Sequence, residues 1–172
     1  MPFYPILVNA GRKSVIVAGG GEQAAGKVAS LVQAEVCVVL LTDTWHPCLD
    51  PFRHHPFVTI RKGPLTVHDF NPGSLVFLAD EAREHAREMK AYAEQKGAWL
   101  NVVDEPEWCD FYSMGQIRRG DLIIAVATSG KAPALARDIR RRLEKEFDEQ
   151  WAQRVAQAAD SRASLRKPLM TH

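Results

Sequence analysis

The chain is sparing in several things, and each scarcity excludes a class of protein. Its three cysteines, Cys37, Cys48 and Cys109, are odd in number and lack metal-ligand spacing, so neither a disulfide framework nor a zinc ribbon is encoded. They read as reduced thiols of a cytoplasmic protein. An excess of one charge is missing as well: 22 Lys and Arg against 21 Asp and Glu leave a formal net charge of +1. Bulk charge therefore argues for no nucleic-acid partner. No apolar run approaches the roughly 18 residues that mark a membrane span. The opening Met1-Pro2-Phe3-Tyr4-Pro5 lacks the basic start and apolar stretch of a signal peptide. Internal repeats and low-complexity tracts are absent too. Arg137, Arg140, Arg141 and Arg142 form the one basic concentration, which helical phase spreads around a helix beside Asp138, Glu144 and Glu146. It reads as a solvated face, with an anion-binding patch as the alternative.

What is present is an alternation of short apolar runs and helical patterns. At 172 residues and 46% hydrophobic content, the chain can bury one ordinary core and carry a short extension. Residues 14–18 and 36–41 are β-branched runs that flank a helical pattern over 22–33, a compact βαβ unit whose right-handed crossover makes the strands parallel. Residues 42–69 carry little periodicity, with 58–60 as the best short strand. Strands follow at 75–79, 99–103 and 122–127, and helices at 80–96, closed by Gly97, and at 132–147. A last helix is expected after Trp151, frayed from Ser164. Strands alternating with helices predict an α/β fold with a doubly wound parallel sheet.

Gly19, Gly21 and Ala24 give G-x-G-x-x-A between the first strand and its helix. Such a turn lets a pyrophosphate approach the backbone and meet the free amides and positive dipole of the helix start. A glycine turn without a ligand is the plainer reading. Asp43 lies at the end of the second strand, where a ribose-binding acid is expected, and equally suits a turn cap between Thr42 and Thr44. No arginine adjoins it, which favours NAD over NADP. Asp104 closes the strand that runs into Asn101-Val102-Val103, before Glu105-Pro106. It is either a turn cap or a carboxylate that takes a proton from a substrate losing hydride. His46, His54 and His55 sit in a proline-rich loop without a ready-made metal spacing, so no metal site is predicted. Cys109 reads as a half-buried thiol, since no activating base is visible.

These residues together resemble a known family. Tyr4-Pro5-Ile6, Gly11-Arg12-Lys13 and Gly19-Gly20-Gly21-Glu22 with Lys27 are similar to the opening of the precorrin-2 dehydrogenases, the NAD-dependent modules of sirohaem synthesis, some of which are also sirohydrochlorin ferrochelatases. Asn101 to Pro106 with Cys109-Asp110-Phe111 resembles their central motif. Residues 124–133, including Thr128-Ser129-Gly130-Lys131, resemble a third. The resemblance covers residues 2–147.

It implies a Rossmann-like NAD-binding domain over 1–110, a small α+β dimerisation region over 111–150, and a short, truncated helical tail over 151–172. Gly19, Gly20, Gly21, Glu22, Gln23, Ala24, Leu41, Thr42 and Asp43 would meet the cofactor NAD, with Ala79 and Asp80 across from them. Asp104 would be catalytic, and Asn101, Thr128, Ser129, Gly130 and Lys131 would line the cleft for a tetrapyrrole, precorrin-2. Arg118, Arg119 and Lys131 are candidates to meet its carboxylates. A homodimer is implied. Two alternatives keep the fold: a non-catalytic NAD- or tetrapyrrole-binding module, and a ferrochelatase without dehydrogenase activity.

Overall fold

The computed structural model describes residues 3–165. It divides into two compact units, one ending at Tyr112 and the other beginning at Ser113.

In the first unit, β1 (Val15–Ala18), β2 (Val38–Leu41), β3 (Val58–Arg61), β4 (Leu75–Leu78) and β5 (Trp99–Val102) form one parallel sheet in the order β3-β2-β1-β4-β5. The predicted strands are all there, one or two residues shorter at some ends. Strand order reverses at β1, between β2 and β4, the place where open α/β sheets leave a crevice at their carboxyl ends.

Side chains of β1 alternate between the two faces of the sheet, and all four are buried. Val15 and Val17 face α1 (Glu22–Gln33) through Ala24 and Val28, together with Val38, Leu40 and Phe77. Ile16 and Ala18 face the opposite layer, where Ala86, Met89 and Ala93 of α2 (Ala86–Lys96) close over Val76, Leu78 and Leu100. Both faces of the inner strands are thus covered, which is why β1, β2 and β4 read as continuous apolar runs, while the edge strand β3 alternates. Gly97 caps α2 in the left-handed conformation, at φ 67°.

One helix differs from expectation. Residues 80–85 wind as a 3₁₀ turn, and the α-helix begins only at Ala86. Asp80 sits at φ 51° with its side chain committed to α1, and Arg83 Nε donates back to the Asp80 carbonyl at 3.1 Å. The first turn is tightened by these tethers instead of following α geometry.

The second unit contains β6 (Gly115–Arg119), β7 (Leu122–Val126), α3 (Pro133–Glu146) and α4 (Gln150–Leu165). β6 and β7 are an antiparallel hairpin in which Arg119 faces Leu122 across Gly120-Asp121. β6 lies where the sequence pattern predicts no element, and it completes the small α+β region expected after the sheet. The expected final helix is present as α4; the fraying expected from Ser164 falls largely on 166–172, outside the described residues. No helix among the described residues is long and apolar enough to cross a membrane.

Candidate functional site

The first unit gathers its polar side chains at the carboxyl ends of β1, β2, β4 and β5. Gly19 opens the turn after β1 at φ 136°, and its amide donates to the Leu41 carbonyl at 3.0 Å. A Cβ there would strike the Ala79 carbonyl oxygen at 2.5 Å, so β1 and β4 close up only around glycine. At Gly20 a Cβ would collide with Thr42 and Thr44, while the Gly20 carbonyl accepts from His46 N at 2.9 Å. The turn is held on both flanks.

Gly21 is the N-cap of α1 and has no side chain to satisfy the first amides. Asp80 satisfies them instead. Its Oδ2 accepts from Gly21 N at 2.8 Å and Ala24 N at 3.0 Å, and its Oδ1 from Gln23 N at 3.1 Å. The Gln23 side chain extends this arrangement in two directions: Oε1 accepts from Asp80 N at 3.0 Å, and Nε2 donates to Asp104 Oδ2 at 2.9 Å. Asp104, exposed at the end of β5, also has a left-handed backbone, at φ 64°. Such a conformation in a non-glycine residue costs on the order of 1 kcal/mol and tends to collect at functional positions.

Lys27, one turn further along α1, lies over the Phe77 ring at 5.5 Å. Burial pushes its ammonium pKa down, while the charges of Cys109 and Asp104 pull it back up. The Cys109 thiol accepts from Val102 N and donates to the Val102 carbonyl, each at 3.2 Å. Burial raises its pKa above the ordinary 9.0, against the opposing pull of the Val102 amide and Lys27. A protonated, backbone-tied thiol fits the expected structural cysteine rather than a nucleophile.

A cavity of about 530 Å³ opens beside the glycine turn, between Gly19, Thr42, Asp43, Leu65, Ala82 and Tyr92. Its size suits a nucleoside. Asp43 lines it, with Oδ1 accepting from Gly63 N at 3.0 Å. Thr42 is buried, and its hydroxyl donates to the Thr44 carbonyl at 2.5 Å, so the threonine pair forms its own turn. Leu41 is buried as the last residue of β2. Glu22 is exposed on the first turn of α1.

Three expected contacts take other posts. Ala79, expected to touch the cofactor, is 0% exposed, with its amide donating to the Ala18 carbonyl at 2.8 Å. Asp80 occupies the helix-start amides that a phosphate would need. Asn101 is 5% exposed, and its amide nitrogen donates to the Phe111 carbonyl at 2.9 Å, anchoring the chain after β5 instead of facing a substrate.

Thr128, Ser129, Gly130 and Lys131 lie in the second unit, in the turn from β7 to α3. Thr128 Oγ1 accepts from Ala132 N at 3.2 Å and its carbonyl from Lys131 N at 3.0 Å, with Ser129 at φ 54°. Arg119 is largely engaged within that unit, its guanidinium donating to the Arg118 carbonyl at 2.8 Å.

Among the described residues, Glu22, His46 and Cys48 alone approach as a metal-sized group, all exposed. His46 Nδ1 already accepts from Cys48 N at 3.2 Å, which leaves the proton of a neutral ring on Nε2. That ring offers no free lone pair.

The glycine turn, the helix-start amides and the adjoining cavity define the dinucleotide-binding class of α/β domain. The comparisons agree. A family profile described as "Putative NAD(P)-binding" matches residues 6–114, and the chain belongs to that family. A second profile, the central part of sirohaem biosynthesis proteins, matches 119–146. Among curated proteins, the chain is 34% identical over 152 residues to a siroheme synthase of Sodalis glossinidius, covering 84% of this chain and 31% of that protein. To a siroheme synthase of Methylobacillus flagellatus it is 29% identical over 171 residues, 99% of this chain and 37% of that one. The chain thus spans about a third of these relatives. Among solved structures, "SirC, precorrin-2 dehydrogenase" superposes with a TM-score of 0.80 over 98% of this chain and 83% of that chain, at 17% identity. That likeness shows a shared fold. The family resemblance read from the three motifs and the Rossmann-like α/β fold both hold.

Proposed function

We propose that the chain catalyses the NAD-dependent dehydrogenation of precorrin-2 to sirohydrochlorin in the making of sirohaem. The observation that carries this reading is the placement of Asp104. A single side chain, Gln23, links its carboxylate to the helix-start amides of the glycine turn. A proton-accepting group therefore stands one residue's reach from the dinucleotide's phosphate site, in a chain similar to siroheme synthases along most of its length.

The cradle fits the cofactor once Asp80 withdraws: Gly21, Gln23 and Ala24 present amides to phosphate, Asp43 faces the ribose, and the cavity takes the adenosine. Bound NAD supplies a hydride acceptor. Oxidation removes one hydride and one proton from the macrocycle, and Asp104 takes the proton and passes it to water, to which it is open. NAD is favoured over NADP because Asp43 opposes a 2′-phosphate. Arg61, which pairs with Leu41 in register, is tied to Asp69.

Thr128, Ser129, Gly130 and Lys131 line the tetrapyrrole cleft in this reading, and the second unit makes a homodimer. The protein works in the cytoplasm. Purified chain mixed anaerobically with enzymatically generated precorrin-2 and NAD should form NADH, and the rate should fall at least about a hundredfold in Asp104→Ala. Absence of NADH formation despite NAD binding would sink the reaction.

One observation favours a second reading. A carboxylate already bound at the phosphate amides suits a non-catalytic module, which would bind tetrapyrrole yet never reduce NAD.

A further inference from the structure

The anion cradle at the start of α1 is filled by an anion of the chain itself. Asp80 takes the amides of Gly21, Gln23 and Ala24 at 2.8 to 3.1 Å, the donors that a dinucleotide phosphate requires. Two anions cannot share them. The carboxylate comes as close to the backbone as a phosphate would, since a Cβ on Gly21 would meet Asp80 Cγ at 2.6 Å. Asp80 pays for this seat with a left-handed backbone, at φ 51°, stabilised by its amide's bond to Gln23 Oε1. The same Gln23 amide group holds Asp104 through Nε2. Occupancy of the cradle and the setting of the candidate proton acceptor therefore meet in one side chain.

We propose that Asp80 is an internal latch on the dinucleotide site. Its carboxylate closes the cradle, a dinucleotide phosphate opens it by displacement, and Gln23 transmits the exchange to Asp104. The inference rests on the dinucleotide reading of the glycine turn and not on the identity of the tetrapyrrole. The latch lowers dinucleotide affinity below what the bare cradle would give, and it caps α1 while the cofactor is away.

The test is an NADH fluorescence titration of the full chain as wild type, Asp80→Ala and Asp80→Asn. Losing a competitor worth one helix cap should lower the Kd about tenfold in Asp80→Ala. The NADH-free Ala variant should melt at a lower temperature and gain more from NADH than the wild type does. Asp80→Asn keeps one capping oxygen for the Gly21 and Ala24 amides but turns an amide donor toward Gln23 N, so it should melt between the wild type and Asp80→Ala and still bind NADH more tightly than the wild type. By NMR, the Gln23 side-chain amide of the wild type should move on NADH addition, and that of ligand-free Asp80→Ala should already be displaced in the same direction. Unchanged NADH binding in both variants would overturn the latch, and weaker binding would overturn it and make Asp80 a cofactor-holding residue. Undetectable NADH binding in all three proteins would overturn the latch together with the nucleotide reading. Tighter binding without any precorrin-2 oxidation would uphold the latch and remove only the proposed reaction.

Discussion

Asp104 is exposed, yet its carboxylate is held by Gln23, and that hold makes its loss readable. Asp104→Ala should reduce turnover by roughly 10²–10⁴-fold, the usual range for a lost general base, while the NADH Kd stays within about twofold. A Kd change as large as the rate change would make it a binding residue instead. Cys109 gives a second prediction. Cys37 and Cys48 are exposed and should react quickly with a thiol reagent at neutral pH, whereas Cys109, bonded to Val102 and partly buried, should lag well behind. Its pKa carries a stability consequence. Burial raises it above 9.0, so with rising pH the unfolded chain gives up this proton before the folded one does. The thiol's share of stability is complete below pH 9 and is lost as pH climbs through the raised value. Denaturation midpoints of wild type and Cys109→Ala should therefore keep a constant gap below pH 9 and converge as pH rises beyond it; a gap that stays constant there would refute the assignment. The place of the glycine turn between β1 and α1, and of Asp104 just after β5, could be read because those signals are local. The cap that Asp80 gives α1 was not, because it spans 57 residues and exists only once β4 lies beside β1. Asn101 misled for a related reason: its partners, Phe111 and Cys109, lie up to ten residues further on in a loop without periodicity.

Element by element, the parallel sheet was readable because every buried strand is a short apolar run bounded by turn residues. The hairpin strand β6 escaped since Gln116, Arg118 and Arg119 leave little apolar signal, with Ile117 its only buried residue. The Gly120-Asp121 pair before the apolar run of β7 was the available cue. The 3₁₀ turn at residues 80–85 escaped for a different reason: composition there is helical, and only the tertiary commitment of Asp80 forbids the α turn. The end of α2 invites a direct check. Gly97 is left-handed with open space around its missing Cβ. Gly97→Ala should therefore cost about 1 kcal/mol through backbone strain alone, seen as a lower denaturation midpoint with unchanged NADH affinity. A neutral result would mean that the helix end relaxes.

For the molecule as a whole, both apolar clusters are built from residues before Tyr112. Phe111 completes one by meeting Phe77 edge to face at 5.2 Å, and the Tyr112 hydroxyl donates to the Pro106 carbonyl at 2.9 Å. A fragment ending at Tyr112 should therefore fold alone, with a cooperative thermal transition and NADH binding like that of the full chain. A broad, non-cooperative melt would show that the second unit is needed. The strand order also dictates a schedule for synthesis. β1 sits in the centre of the sheet, but its neighbour β4 pairs Leu75 with Val15, sixty residues downstream. A nascent chain can lay β2 and β3 on one side of β1 early, while the other edge stays open until β4 leaves the ribosome. The last piece to arrive, Phe111, is also the one that seals the cluster under α1. Translation must therefore carry an unfinished, edge-exposed half-sheet through most of the first unit, and pauses before β4 would be the ones that expose it to aggregation.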